Sequence, residues 1–203
     1  MLNKVLRYII FGALLAITIF IFLNISYFGK QIRFFFSQTF VTDQQRKELQ
    51  NDQPVKAEPN QLYIPSLEIV APIIFVEGTT EAVFQPALAN GVVQYPNTAK
   101  VGTVGNTYIF GHSSDFAFSK GNYKTVFALL PKIEIGAEIL ASNEAGERFT
   151  YKVYDKFVAK KTDVHLLDQE TKGRKILTLQ TSYPIGTALQ RYIVKAELVP
   201  DQK

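Results

Sequence analysis

The stretch ILTLQTSYPIGTALQRYIVKAEL, residues 176–198, decides the fold because it reads as two strands joined by a turn. In its first run apolar residues alternate with polar ones, which is typical of a strand with one buried face. The apolar set is Leu177 and Leu179, and the polar set is Thr178 and Gln180. Continued to the end of the run, the alternation places Ser182 on the polar face.

The second run carries Arg191 at its start. The expected core face is formed by Tyr192, Val194, Ala196 and Leu198, and the opposite face by Arg191, Lys195 and Glu197. Pro184 and Gly186 lie between the two runs and disfavour a continued strand, so the chain turns back there. The pattern predicts a hydroxyl and a guanidinium side by side on neighbouring strands.

The composition excludes several classes of function. The 203 residues are 47% hydrophobic and 20% charged, the balance of a globular protein. The net charge of +4 is small and spread along the chain, so we expect no nucleic-acid partner. The sequence has no cysteine, which excludes disulfides and thiolate metal sites, and its two histidines are too few for a multi-histidine zinc site. Asp163, Asp168 and Glu170 do not have calcium-loop spacing, and we expect no metal and no cofactor.

The N-terminal part has a different character. Residues 8–29 contain no charged side chain and are long enough to cross a hydrocarbon core of ~30 Å as a helix. A cleaved signal peptide is the alternative, but the apolar run is longer than the usual ~7–15 residues of such a signal and no small-residue cleavage site follows it. Residues 30–60 are mostly polar and end in Pro54 and Pro59, which predicts a linker or stalk with at most a short helix.

From residue 61 to 203 the pattern predicts an all-β barrel or sandwich. Short runs rich in Ile, Val, Phe and Tyr recur between Gly, Pro and Asn residues. The segment EILASNEAGERFTYKVYD predicts a hairpin with residues 143–146 as its loop. Helical periodicity is limited to short pieces, residues 80–88 and 124–130.

A third candidate for chemistry lies in TYIFGHSSDF, an apolar strand that presents His112 to a polar loop. Imidazole titrates near neutrality. A hydroxyl, an imidazole and a guanidinium are the nucleophile, proton-transfer group and oxyanion stabiliser that acyl transfer requires. Gln180 and Thr181 precede Ser182 on its strand, and Ser113 and Ser114 shape the loop after His112. Ser113, Gln180 and Thr181 are candidates for substrate contacts. His165 reads as a surface residue.

Several segments, taken in order, resemble the sortases, the membrane-anchored cysteine transpeptidases of bacterial surfaces. The resemblance covers about Leu62 to Val199 and rests on IPSLEIVAPI, ALANGVVQYPNTAKVGTVGNTYIFGHSS, TVFALLPKIEIGAEI and TLQTSYPIGTALQRYIVKAEL. The last resembles the TLxTC strand and the arginine strand of the family, and its Tyr-Pro after residue 182 is most similar to classes D and E.

The resemblance implies a sortase-like eight-stranded β-barrel with short helices, preceded by one transmembrane helix, with residues 1–7 in the cytoplasm and the catalytic domain outside. It implies that His112 is the catalytic histidine and that Arg191 stabilises the oxyanion. It implies a substrate with a C-terminal sorting signal of the LPxTG kind, cleaved after the threonine and passed to a cell-wall or pilin amine.

Ser182 stands where the family has its cysteine. A thiol with a pKa near ~8.5 ionises readily beside a cation, whereas a hydroxyl needs a positioned general base. Asp115 is the nearest carboxylate in sequence that could orient His112. Four interpretations remain open: an engineered inactive variant, a natural pseudoenzyme that binds peptide, a working serine enzyme, and a strand-end hydroxyl that only satisfies a backbone group.

Overall fold

A computed structural model describes residues 3–40, 58–114 and 121–200. It begins with two consecutive helices, α1 (Lys4–Leu23) and α2 (Ile25–Phe40), separated at Asn24. The side chain of Asn3 accepts a hydrogen bond from the Val5 N–H and caps the start of α1. By length and composition α1 could cross a membrane, and none of its residues is buried. Its bounds lie several residues before the expected span of residues 8–29.

Helix α2 lies against the rest of the chain, where the sequence had predicted a stalk. Phe34 packs on the main hydrophobic core, and Arg33 pairs with Glu68 at 3.6 Å. Phe34 explains the difference, because its apolar ring loses contact with water when it packs on the core. The part of the predicted stalk between residues 41 and 57 lies outside the described residues.

The remaining described elements form a closed barrel of eight strands. The strands are β1 (Gln61–Ile64), β2 (Ile69–Phe75), β3 (Val92–Gln94), β4 (Gly105–Phe110), β5 (Glu138–Ser142), β6 (Arg148–Lys160), β7 (Lys175–Tyr183) and β8 (Gln190–Leu198), with helix α3 (Glu81–Asn90) between β2 and β3. Their order around the barrel is β1-β2-β3-β4-β7-β8-β6-β5. The pairs β2–β3 and β4–β7 are parallel and the other pairs are antiparallel. The predicted eight-stranded barrel is confirmed.

The two runs within residues 176–198 form β7 and β8, which pair antiparallel on either side of the predicted turn. Leu177 and Leu179 of β7, with Val194 and Ala196 of β8, are completely buried in the main core inside the barrel. Period-two alternation therefore leaves Ser182 on the outer face of the barrel. The predicted hairpin also formed, since β5 and β6 pair across residues 143–147.

The outer face is less polar than the alternation suggested. Thr178 and Ile193 are fully buried there, although neither belongs to the predicted core face. A 3₁₀ helix, Val164–Leu167, contributes Leu166 to a second hydrophobic cluster with Tyr108, Ala159 and Ile193, and the Thr178 hydroxyl donates to the Asn106 side chain. The segment between β6 and β7 therefore acts as a second layer over part of the barrel wall. Residues 124–130 are mostly turns that lead into a 3₁₀ helix at Leu130–Lys132.

Candidate active site

The turn between β7 and β8 brings Ser182 and Arg191 together. The two residues are direct partners in the antiparallel register, next to the pair Tyr183 and Gln190 that closes the hairpin. Directly opposed residues point to the same face, with Cβ atoms about 4.5–5.5 Å apart. The hydroxyl and the guanidinium therefore start from neighbouring points on the outer face.

His112 reaches the same edge through the parallel pairing of β4 with β7. The last partners in that ladder are Phe110 and Gln180, and the Gly111 N–H then donates to the Gln180 carbonyl at 3.1 Å. Continued by two residues beyond that last pair, this register brings the His112 backbone beside Ser182. The carboxyl ends of two parallel strands thus supply the histidine and the serine.

Packing inside the barrel fixes the chain on either side of His112. The His112 carbonyl accepts a hydrogen bond of 2.9 Å from the N–H of Phe127, whose side chain is completely buried. Gly111 lies against the same ring, where an added Cβ would be 2.8 Å from the Phe127 Cδ2 atom. A side chain at position 111 would push His112 away from β7 or displace Phe127.

The guanidinium of Arg191 is held near the mouth of the turn. One of its terminal nitrogens donates to the carbonyls of Ala188 at 3.2 Å and Gln190 at 3.0 Å. A guanidinium has five N–H donors in a fixed fork, so these contacts orient it and use only part of its capacity. An anion or a polarised carbonyl on this face would meet a cation whose direction is already set.

Tyr108 is a site residue that the sequence reasoning missed. Burial raises the pKa of the Tyr108 phenol far above its ordinary value, while the nearby Arg191 charge lowers it slightly. The phenol therefore remains a neutral donor, and it donates to the Gln180 side-chain oxygen. The sequence did contain a sign of this role. Tyr108 and His112 are four positions apart in TYIFGH, and an extended chain places residues at that spacing on one face.

The three candidates for substrate contact occupy different environments. Gln180 is half-buried on the outer face, where Tyr108 holds its side chain. Thr181 is only 1% exposed, and its hydroxyl donates to the Gly111 carbonyl at 2.8 Å, so in this arrangement it clamps β7 to the histidine segment. Ser113 is buried as well.

The neighbouring Ser114 links the two arms of the site. Its hydroxyl accepts a hydrogen bond of 3.1 Å from the Gly186 N–H in the turn between β7 and β8. The loop that carries His112 and the loop that joins Ser182 to Arg191 are therefore tied together directly.

Asn106 and Gln169 pin the layer that bounds the site on one side. The Asn106 side chain donates to the Leu166 carbonyl at 2.9 Å and accepts from the Thr178 hydroxyl at 2.7 Å. The Gln169 side chain accepts from the Asn106 N–H and donates to the Asn106 carbonyl. The result is a fixed wall beside the outer face of β4, β7 and β8.

The remaining candidates lie away from this edge or outside the described residues. His165 is exposed on the 3₁₀ helix, which the Asp163 side chain caps at the His165 N–H. Asp115, the candidate for orienting His112, lies outside the described residues. Within the described ranges, no group of three or more acidic or histidine side chains is arranged to hold a metal ion.

Together these residues offer the elements of acyl transfer. A hydroxyl on one strand is paired with a cation on the next, and an imidazole follows a third strand at the same edge. The bounded outer face beside them is open at the level of Ser182 and Arg191, which are both half-buried. An extended peptide laid on this face would bring a carbonyl carbon to residue 182.

Comparisons with known proteins agree with this architecture. The family model of the sortase domain matches residues 62–199, more than half of the chain. A Clostridium perfringens sortase D5 transpeptidase is 25% identical, with a TM-score of 0.57, over 81% of this chain and 94% of that one. Sortase C-1 of Actinomyces oris is 26% identical, with a TM-score of 0.59, over 79% of this chain and 84% of that one.

A lid mutant of sortase A from Corynebacterium diphtheriae is 25% identical, with a TM-score of 0.58, over 80% of this chain and 82% of that one. A comparison with curated proteins gave no match. The family model spans the whole barrel, from β1 through β8. The chain therefore belongs to the sortase family of transpeptidases that act on surface proteins.

Proposed function

We propose that the outer face of β4, β7 and β8 binds a C-terminal sorting signal of the LPxTG kind, with residue 182 at the scissile bond. The observation that carries this proposal is the direct pairing of Ser182 with Arg191. A nucleophile and an oxyanion donor on adjacent strands meet the geometric requirement of acyl transfer. Gln180, Ser113 and Thr181 complete the proposed site, the last two by shaping its edge.

In the proposed reaction the Ser182 oxygen attacks the threonine carbonyl of the signal while its proton passes to His112. Arg191 stabilises the negative charge that develops on the carbonyl oxygen, and the bond to the following glycine nitrogen breaks as His112 gives that nitrogen the proton. An amine of a cell-wall precursor or a pilin then attacks the acyl-enzyme and loses a proton to His112, which returns it to the Ser182 oxygen as the ester bond breaks. No cofactor takes part.

The serine at position 182 limits the rate of this reaction. A hydroxyl attacks only when a general base removes its proton, while a thiol can ionise beforehand. The second candidate function is therefore a peptide-binding module with the same groove and little or no turnover, and the identity of residue 182 is the observation that favours it.

We place the site outside the cell, held by α1 as a single membrane span with residues 1–7 in the cytoplasm. The surface of α1 supports this, since its residues from Lys4 to Phe22 are exposed and an exposed apolar helix needs an apolar surrounding. The sorting signal and the acceptor amine would then be met at the outer surface.

Peptide cleavage by three forms of the full-length protein tests the function. We expect Ser182→Cys to cleave a labelled LPxTG-type peptide, the parent to bind it with little cleavage, and Ser182→Ala to bind without cleavage. Cleavage by the parent at a rate similar to Ser182→Cys would establish a working serine enzyme. Absence of both binding and cleavage across a library of sorting peptides, in all three forms, would refute the proposal.

The role of Arg191 is tested in the Ser182→Cys background. Loss of an oxyanion donor typically lowers the rate by about 10²–10³. We expect Arg191→Ala to show such a loss with an unchanged thermal transition, and Lys195→Ala, which removes a cation from the same strand further from the turn, to keep its activity. A lowered transition for Arg191→Ala would instead make Arg191 a structural residue.

A further inference from the structure

Helix α2 contacts the segment that joins β4 to β5. The Lys30 ammonium donates to the Thr125 carbonyl at 2.8 Å, and the Gln31 side-chain amide donates to the Ala128 carbonyl at 3.0 Å. Both bonds cross more than ninety residues of sequence and join the N-terminal helix to the barrel domain. The two donors are consecutive residues of α2, and the two acceptor carbonyls belong to residues three positions apart.

The same short segment holds the candidate histidine. Between Thr125 and Ala128 lies Phe127, and its N–H is the donor to the His112 carbonyl. Thr125 is 6% exposed and Ala128 is 1% exposed, so their segment is packed into the barrel end. A shift of these carbonyls would therefore be transmitted to His112 through Phe127, which lies between them.

The start of α2 and the end of α1 lie beside the other arm of the site. The phenols of Tyr27 and Tyr183 are close enough to interact electrostatically, and Tyr183 directly follows Ser182. A Cβ added at Gly186 would lie 3.4 Å from the Phe20 ring and 3.6 Å from the Asn24 side-chain oxygen. The helices thus border both the histidine segment and the turn between β7 and β8.

We infer that α2 is part of the catalytic apparatus, with Lys30 and Gln31 as positioning residues that set His112 relative to residue 182. This inference rests on the proposed function of the site. The helix that follows the apolar segment braces the two arms from outside the barrel. Removing the two donors should loosen the histidine arm and leave the outer face of β7 in place, because β7 is held by its own ladders with β4 and β8.

The test uses the full chain in detergent or nanodiscs with a Lys30→Met/Gln31→Leu double variant. Arg33→Gln is the matched control, because it removes a cation from the same helix. The Arg33 side chain pairs with the surface residue Glu68 at 3.6 Å. Lys30→Arg is the conservative variant, since it retains an N–H donor at the same position.

Histidine NMR gives a readout that does not depend on turnover. The chain has two histidines, so His112 reports on the site and His165 serves as an internal reference. In the double variant we expect the His112 ring signals to move by several linewidths and their pH titration to change, while His165 stays in place. Arg33→Gln and Lys30→Arg should leave both histidines as in the parent.

Kinetics in the Ser182→Cys background supply the second readout. Misplacement of a catalytic group by about 1 Å can cost on the order of 10² in rate. We expect the double variant to lose between about 10-fold and 10²-fold in kcat with little change in KM. The Lys30→Arg variant, which keeps Gln31, should have the kcat of the Ser182→Cys parent.

The outcomes separate this inference from the proposed function. An unchanged His112 signal in the double variant would overturn it, as would equal shifts of His112 and His165, which indicate general loosening of the fold. A Lys30→Arg protein as impaired as the double variant would also contradict it. If Ser182→Cys cleaves no sorting peptide, the proposed function fails, while the His112 shift still decides whether α2 positions the histidine.

Discussion

Asn106→Ala should detach the wall of the site while leaving the barrel folded. Asn106 is 4% exposed, and its side chain joins three parts of the chain. It donates to the Leu166 carbonyl at 2.9 Å, accepts from the Thr178 hydroxyl at 2.7 Å, and has a longer contact of 3.4 Å with the Asp168 carbonyl. Alanine removes all three contacts and leaves the fully buried Thr178 hydroxyl without this acceptor.

The expected cost follows from these contacts. Each of the two short hydrogen bonds contributes about 0.5–1.5 kcal/mol, and a buried hydroxyl left unpaired costs a further 1–3 kcal/mol or so. The sum is roughly 3 kcal/mol in the free energy of unfolding. For a domain of this size, that loss lowers the melting temperature by about 10 °C.

Thermal unfolding followed by circular dichroism measures the effect. Asn90→Ala is the matched control, because its side chain makes one exposed bond within α3 and its removal should cost less than about 0.5 kcal/mol. Thr178→Val completes a double-mutant cycle, in which we expect a coupling of about 1 kcal/mol between the two positions. In the Ser182→Cys background, Asn106→Ala should raise KM for a sorting peptide more than it lowers kcat.

A melting temperature within about 2 °C of the parent would refute the reasoning, because a buried side chain with these partners cannot be lost at so small a cost. Additive effects in the cycle would show that Asn106 and Thr178 are not energetically coupled. A large loss of kcat with an unchanged KM would place the effect of Asn106 at the reacting atoms and not at the wall.

Three further predictions test separate features. Burial raises the folded-state pKa of Tyr108 above its ordinary value of 10.0. Stability that is fully present below about pH 10 should therefore fall as the pH rises further. In urea unfolding on both sides of about pH 10, Tyr108→Phe should lose less free energy of unfolding than the parent. Gly102 has φ of 83° and lies against the Phe149 ring, so Gly102→Ala should lower the free energy of unfolding by about 2–4 kcal/mol, measured by denaturant titration. Thr181→Val should lower kcat of the Ser182→Cys protein without raising KM, because the hydroxyl that it removes holds the Gly111 carbonyl; a higher KM in steady-state assays would instead indicate a substrate contact.

Alternation along β7 and β8 was sufficient to predict the central part of the site. Because period two is imposed by strand geometry, the pattern predicted both the buried face and the pairing of Ser182 with Arg191. The β5–β6 hairpin was predictable for the same reason. These features depend on neighbours that are close in sequence.

Features that depend on distant segments were not predictable from local patterns. The polar Thr178 is completely buried and donates to Asn106, whose side chain also holds the Leu166 carbonyl, and no alternation within β7 signals that arrangement. The role of Asn106 depends on a partner sixty residues away. Residues 30–40 of α2 were predicted to belong to a linker, because the contact of Lys30 with Thr125 is made across ninety-five positions.

The parallel pairing of β4 with β7 has a consequence for how the protein matures. The histidine and residue 182 meet only after the intervening seventy residues have closed into a loop, and the arginine arrives with the last strand. Such long-range closure is slow compared with local hairpin formation. A chain still emerging from the ribosome therefore lacks a complete site until β8 has been released.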